Sequence, residues 1–321
     1  MKRLDEQPFG EQVNPAHGLN VIGCNRMNSA GNVFRTVLTL AVALACVSAP
    51  KVVHAQSTVV TTANLPRTPD GQPELEGYWI NPPRVRGATG IGIDLEGRSG
   101  NSEAPKYTAK QNAIVDPPDG QVPYQPWAKA LREKNWKGAF NPTSPEQIDS
   151  MSRCFELGMP RTAYFPGAGG TLTFQILQMP GYVVMVYDAP SGAYRVLPLD
   201  GRPHLDKSVK LWEGDSVGRW EANTLVVDVT NINDSAWYDW GGNFHSSDLH
   251  VVERYTVVAP DKIEYQETNY DPKVLTKPFT VKLGYVKKDK ANEQWENSCY
   301  EYELDVDAML KRNQAGASDS Q

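Results

Sequence analysis

Two hydrophobic patterns divide the chain. Beyond residue 170, apolar and polar positions alternate in short runs rich in Val, Ile, Tyr, Thr and Phe. Residues 171–179, 182–188, 193–198, 210–213, 224–230, 249–258, 262–269 and 280–286 read as strands. Turn formers separate them: Pro180-Gly181, Pro190-Ser191-Gly192, Ala222-Asn223 and Ala259-Pro260-Asp261. No helical run there is long enough for a parallel crossover, so consecutive strands should pair antiparallel. The expected fold is all-β: an up-and-down meander closed into a barrel of about eight to ten strands, because closure leaves no open edge. A β-sandwich is the alternative.

Ahead of residue 171 the alternation is missing. Thr68-Pro69-Asp70-Gly71 marks a turn and Glu76-Gly77-Tyr78-Trp79-Ile80 a short strand. Residues 81–120 are rich in Pro, Gly and Ser without a period, as in an arm wrapped on a core. Pro126 opens a helix with Trp127, Ala130, Leu131 and Lys134 at helical spacing, and Ser144-Pro145-Glu146-Gln147 resembles a capping box. The expected organisation is therefore a leader over 1–55, an arm with short helices over 56–170, a barrel core over 171–305 forming one domain with the arm, and a flexible tail over 306–321. No internal repeat is visible.

The leader alters the rest of the account. Arg35 precedes an uncharged run over 37–47 and then Val53-His54-Ala55, an A-x-A-like cleavage site. That run has the length of a signal-peptide core and is too short to span a bilayer. Met27 is then the expected start, and the mature protein begins near Gln56, exported to a periplasmic or extracellular location. Lipidation at Cys46 fits less well, since Leu44 stands one position late for a lipobox. The whole chain carries a net charge of −6. The leader holds more Lys and Arg than Asp and Glu, so the mature chain is more acidic still. Such a charge gives no electrostatic case for nucleic acid or an anionic membrane. Cys154 and Cys299 remain of the four cysteines. In an oxidising compartment they are expected to pair, two buried free thiols being the alternative. The bridge would close a loop of about 145 residues, worth roughly 4–5 kcal/mol as an upper estimate.

Chemistry concentrates in residues 200–255. The three histidines of the mature chain, His204, His245 and His250, lie there. Their ordinary pKa makes them the natural acid or base candidates. In His245-Ser246-Ser247-Asp248-Leu249-His250-Val251-Val252-Glu253 two carboxylates join two imidazoles. If 249–257 is a regular strand, Leu249, Val251, Glu253, Tyr255 and Val257 share one face, while His250 and Arg254 take the other. Glu253 in an apolar row would have its pKa raised by desolvation; an internal ion pair with Arg195, Arg219 or Arg254 is the competing expectation. Trp237-Tyr238-Asp239-Trp240, hinged by Gly241-Gly242 and followed by Phe244, is an aromatic loop that could stack on a ring or simply plug the barrel. Arg202, in the turn Asp200-Gly201-Arg202-Pro203-His204, could fork a carboxylate or form a structural ion pair. Arg161 and Tyr164 are further rim candidates. The spacing of His245, His250 and Glu253 matches no metal signature, and a strand sends two of the three apart. Gly214-Asp215-Ser216 lacks a hydrolase context, with Asp215 more suited to fixing a hairpin turn. The glycine-rich stretches at 87–92 and 167–170 lack a βαβ setting for nucleotide binding.

TPDGQPELEGYW, IVDPPDGQVPYQPWA, PLDGRPHL, GDSVGRWEANTLVVDVTNIND and FHSSDLHVVERY together resemble a large, mostly uncharacterised group of exported bacterial proteins over about residues 66–305. Gly77-Tyr78-Trp79 is also similar to the Gly-x-Trp of the first lipocalin strand. That looser likeness to calycin barrels, the lipocalins and fatty-acid-binding proteins, implies a barrel around one small, largely apolar ligand. It departs from lipocalins in the long irregular arm after the first strand.

The functional expectation is an exported barrel enzyme without an organic cofactor, performing lyase, isomerase or hydrolase chemistry on a small aromatic or sugar ring. His245 and Asp248 would be the acid/base pair, with His250 nearby and Glu253 a buried second carboxylate. Arg202, His204, Trp237, Trp240, Tyr164 and Tyr255 would grip the substrate. Two alternatives stand beside it: a carrier for a small apolar ligand, and a divalent-metal hydrolase using His245, His250 and Glu253 or His204.

Overall fold

The computed structural model describes residues 65–81, 95–96, 113–164, 173–188, 193–288 and 311, without the side chains of Phe140 and Tyr164. The chain divides into two compact units, Met1–Gln56 and Ser57–Gln321, the first of which lies outside the described residues, as do Cys299 and most of the expected tail.

Ten strands are present among the described residues: β1 (Gly77–Ile80), β2 (Ile114–Asp116), β3 (Thr173–Met179), β4 (Tyr182–Tyr187), β5 (Tyr194–Pro198), β6 (Asp215–Glu221), β7 (Thr224–Thr230), β8 (His250–Ala259), β9 (Lys262–Tyr270) and β10 (Phe279–Lys288). Two helices, α1 (Pro126–Phe140) and α2 (Arg161–Tyr164), precede β3. All strand pairs are antiparallel, in the order β5-β4-β3-β1-β10-β9-β8-β7-β6, with β2 added beside β10. A single continuous sheet whose two end strands approach each other is a nearly closed, calycin-like barrel, and the sandwich alternative falls. Among the described strands the order around the wall follows the chain, with β1 completing it between β3 and the last strand, β10, and the break in backbone pairing falls between β5 and β6. Trp79 is therefore fully buried, its indole N–H donating to the Leu75 carbonyl at 2.8 Å.

Three expected elements differ. The short helix expected from the capping box at 144–147 towards Cys154 is instead two 3-10 turns, Pro145–Gln147 and Met151–Arg153, with no side-chain cap from Ser144. Residues 210–213 form no strand; Leu211 makes only an isolated parallel bridge to Ile232. The strand instead begins at Asp215, whose carboxylate accepts from Leu205 N and faces His204, so it pins the preceding loop rather than a hairpin turn. The turn is Ala222-Asn223, with Ala222 at φ 54°. In α1 the buried stripe is Ala128, Arg132 and Trp136 instead of the one expected, while Trp127 and Leu131 are exposed. The physical reason is Arg132, drawn inward by Glu96 at 3.0 Å and Asn243 Oδ1 at 3.1 Å, with its guanidinium over Trp136.

The seam between β5 and β6 is crossed by side chains. Arg195 of β5 donates to Ser216 Oγ of β6 at 2.9 Å. Gly218 of β6 packs closely on Leu199, just beyond β5, where a Cβ would come within 2.7 Å of Leu199 Cδ2.

Helix α1 seats the 231–249 loop through Gly242, whose carbonyl accepts from Asn135 Nδ2 at 3.2 Å. Gly242 has φ +75° and a Cβ would lie 2.4 Å from Asn135 Cβ, whereas Gly201, at φ +70°, has open space around it. Gly201→Ala is expected to cost only the left-handed backbone penalty, about 1–2 kcal/mol. Gly242→Ala adds a clash with packed backbone and should cost about 3 kcal/mol or more. Urea unfolding of the two variants checks this; equal losses would contradict the loop–helix packing.

Candidate functional site in the barrel interior

Strand alternation builds the site. Along β8, Val251, Glu253, Tyr255 and Val257 are buried; along β9, Ile263, Tyr265, Glu267 and Asn269; along β10, Phe279, Val281, Leu283 and Tyr285. The register sets Glu253 beside Glu267 and Tyr255 beside Tyr265. Two carboxyls directly across a strand pair, both fully buried, would repel if both were ionised.

The structure resolves this with one cation. Arg195 crosses from β5 and grips Glu253 with both terminal nitrogens, Nη1 to Oε1 at 3.1 Å and Nη2 to Oε2. Of the two competing expectations for Glu253, the internal ion pair is the one formed, and Arg195 is its partner. Arg219 and Arg254 turn outward to Glu221 at 2.8 and 2.9 Å. The Tyr255 hydroxyl donates to Glu253 Oε1 at 2.8 Å. The Tyr187 hydroxyl, also beside Arg195, is pushed up to about 12, chiefly by burial.

Among the described residues Glu267 has no cation of its own. Burial raises its pKa to about 8, against the lowering effect of Asn269, whose amide donates to Oε1 at 2.8 Å. The geometry agrees. The Tyr265 hydroxyl lies 2.7 Å from Glu267 Oε2 and 3.0 Å from Glu253 Oε1, and it has one hydrogen to give. Both contacts are satisfied when Glu267 is protonated: its O–H donates to the Tyr265 oxygen, and Tyr265 donates to Glu253. A third carboxyl, Glu213, sits near Arg195 and is raised to about 7 by burial. Its Oε1 accepts from Thr162 Oγ1 at 2.8 Å, and its Oε2 has no hydrogen-bond partner.

The 231–249 loop covers the end where β8 and β10 begin. Within it Tyr238 and Asp239 point inward and are fully buried. Asp239 anchors the loop, accepting from Gly241 N at 2.9 Å and from the Asn243 side chain at 2.7 Å. Trp237 and Trp240 are half-buried, and Trp240 lies under the Arg161 guanidinium at 5.6 Å. Arg161 is itself forked onto Asp149, so it is not a free rim cation.

Other expected site residues scatter. His245 is buried, its pKa lowered by desolvation, with Nδ1 3.1 Å from the Ser246 carbonyl. Asp248 is exposed and paired with Lys273 at 2.9 Å. The structure does not bring His245 and Asp248 together, because Ser246 turns the chain by bonding Asp271 through both N and Oγ at 2.6 and 2.8 Å. His250 lies on the outer face, 3.0 Å from Asp228 Oδ2, opposite in direction to Glu253 as alternation requires. His204 is held outside between Asp215 at 2.7 Å and Asp228 at 2.9 Å. Arg202 is exposed, forked onto Asp200 of its own turn and against Tyr182, so the structural ion pair is the contact seen. Of the substrate-grip residues whose side chains are described, Tyr255 alone reaches the interior carboxyls. Tyr164 falls in α2 with its side chain outside the described residues. With His245 and Glu253 inside and His204 and His250 outside, the ligand set of a divalent-metal hydrolase is not assembled. Among the described residues no group of three or more His, Cys, Asp or Glu is arranged to hold a metal ion. No helix among them is long and apolar enough to cross a membrane.

Sequence reasoning passed over Glu267, Tyr265 and Asn269, although Ile263, Tyr265, Glu267 and Asn269 form the same kind of alternating row that singled out Glu253. Glu213 was read as the end of a strand over 210–213, whereas it stands in an irregular segment before β6.

A scan of protein-family profiles and a search of curated protein sequences find no match to this chain. Among solved structures, a secretory abundant heat-soluble protein from Ramazzottius varieornatus is similar at 14% identity and a TM-score of 0.25, covering 41% of this chain and 80% of that one. The zebrafish ileal bile-acid-binding protein complexed with cholic acid is similar at 7% identity and a TM-score of 0.24, covering 37% of this chain and 73% of that one. The wild-type fluorescent protein UnaG is similar at 13% identity and a TM-score of 0.22, again over 37% and 73%.

Proposed function

We propose that the barrel interior receives a small ring-containing molecule and moves a proton on it, as an exported, cofactor-independent enzyme of lyase, isomerase or hydrolase type. The observation that carries this reading is the Tyr265 hydroxyl set between two carboxyls, with a single guanidinium to neutralise them. That arrangement keeps Glu267 protonated near neutrality, at about 8, where a general acid is most effective. In this reading Glu267 is the acid, Tyr265 the link through which its proton exchanges with Glu253, and Arg195 the fixed charge that holds Glu253 as acceptor. The aromatic interior supplies the ring surface: Tyr255, Tyr265 and Tyr285 are in mutual contact, Tyr255 and Tyr265 at 4.9 Å between centroids. Trp237 and Trp240 would border the opening. Export rests on the leader, and we extend the proposal to a Cys154–Cys299 bridge, Cys154 being disulfide-bonded.

The carrier reading is favoured by one observation. Each oxygen of Glu253 is already engaged by Arg195 or a tyrosine, as in a structural network. Turnover separates the two. Glu267→Gln keeps size and hydrogen bonds but not the acidic proton, so it should lower turnover of a substrate found by co-purification about 10²–10⁴-fold while binding persists. Unchanged turnover sinks the acid role, and binding without any product from either protein leaves the carrier.

A pH test needs no substrate. A buried carboxyl whose folded pKa lies above the ordinary 4.5 keeps its proton after the unfolded chain has released it. The stability from this source is full below the unfolded value and is lost as pH rises through the folded one. Glu213 at about 7 and Glu267 at about 8 both act in this direction. His245, lowered from 6.5, acts oppositely but only below that pH. From pH 6.5 to 8 the unfolding free energy, and with it the urea midpoint, is therefore expected to fall, the free energy by up to about 1 kcal/mol per pH unit per group. Glu267→Gln should flatten the slope; a midpoint that rises with pH in the wild type contradicts the assignment.

A further inference from the structure

At the loop-covered end of the barrel three buried polar atoms lack any hydrogen-bond partner: the Tyr238 hydroxyl, His245 Nε2 and Asn269 Oδ1. Their residues form one cluster. The Tyr238 and His245 rings meet edge-on at 5.0 Å, Tyr238 packs on Phe279 at 5.5 Å, and Phe279 faces Asn269 in the β9–β10 register. Leaving such an atom unpaired in the interior is unfavourable, so three in one neighbourhood point to something that pairs with them.

Their chemistry is defined. His245 Nδ1 lies 3.1 Å from the Ser246 carbonyl, which can only accept, so Nδ1 carries the hydrogen and Nε2 presents a lone pair. Asn269 spends its amide on Glu267 and presents its carbonyl oxygen. Tyr238 can donate or accept. Asp271, a carboxylate acting on both His245 and Tyr238, is already engaged by Ser246 and the Lys273 amide. The subsite is thus uncharged, rich in acceptors and walled by aromatic rings.

We infer that Tyr238, His245 and Asn269 form a subsite for an uncharged ring bearing two adjacent hydrogen-bond donors, of the catechol type. Both donors go to His245 Nε2 and Asn269 Oδ1, the Tyr238 hydroxyl bridges them, and the ring lies against Phe279. Asn269 also bonds Glu267, so a ligand seated here reaches the proposed acid. The inference rests on the barrel being a small-molecule site, and it does not require the proton-transfer step.

The test uses the full mature chain with two probes, catechol and its dimethyl ether, veratrole, which has the same ring and no donors. Binding is followed by calorimetry and by the 15N shift of His245 Nε2. Expected results are catechol binding with a shift of Nε2 away from its free lone-pair position, and veratrole at least about tenfold weaker, the loss of one good hydrogen bond. Tyr238→Phe removes an unpartnered hydroxyl, so it should leave the unliganded fold as stable or more stable, while weakening catechol about tenfold. Equal binding of the two probes, or no shift of Nε2 at saturating catechol, overturns the inference. So does a Tyr238→Phe variant that is destabilised and binds catechol unchanged, which would mean that water satisfies the hydroxyl. The two proposals fail separately. If catechol fails here but Glu267→Gln abolishes turnover of another substrate, only the subsite is wrong; catechol binding without any turnover spares the subsite and leaves a carrier.

Discussion

One guanidinium placed among three carboxyls sets the character of this barrel. Among the described residues the strands send one cation inward, Arg195, and its two terminal nitrogens are committed to Glu253 and Ser216. Stripping water from a lone carboxylate is expensive, so the remaining acids respond by holding their protons. The same side chain ties β5 to β6, the two ends of the sheet that backbone pairing leaves apart, and also to β8. Removing it would strand a buried charge, a change that typically costs about 3–5 kcal/mol. Closure of the wall and the protonation pattern inside it thus depend on one contact.

The period of two along each strand sorts the chemistry. His250 and Glu253 are three residues apart, yet they serve different sides of the wall, one with Asp228 and the other with Arg195. His204, His250, Asp215 and Asp228 form a solvent-facing chain of imidazoles and carboxylates. The inner face keeps glutamates, tyrosines, an asparagine and one histidine. Clustering in sequence overstated the link between these sets, since neighbouring residues on a strand point apart.

Much of the fold was legible because it follows from local rules. Alternating β-formers and turn chemistry placed β3 to β5 and β7 to β10 within a few residues, and alternation along β8 separated Glu253 from His250. What was hidden depends on distant partners. The inward turn of Arg132 needs Glu96, the seat of β1 between β3 and β10 needs the whole sheet, and the loss of strand at 210–213 follows from a loop pinned by Asp215. For the site, Glu253 could be picked out because it stood alone among apolar neighbours, and Tyr255 because it shares that row. Its partner was one of three arginines that sequence could not rank. Tyr265 and Glu267 were equally visible in the β9 row, but their meaning appears only when register sets them against Glu253. The pairing of His245 with Asp248 assumed that the segment before β8 turns both side chains inward. Asp271, arriving from the far end of β9, turns Ser246 and leaves Asp248 in solvent.

The central claim is that the barrel interior holds a proton on Glu267 at neutral pH. Infrared spectroscopy reads it directly, because a protonated buried carboxyl has a C=O stretch well separated from the carboxylate bands. The account predicts such a band at pH 6.5 in the wild type, vanishing with a midpoint near 8 and reduced in Glu267→Gln, with the remaining intensity from Glu213 titrating near 7. A spectrum at pH 6.5 with only ionised carboxylates, or a protonated band untouched by Glu267→Gln, would contradict it.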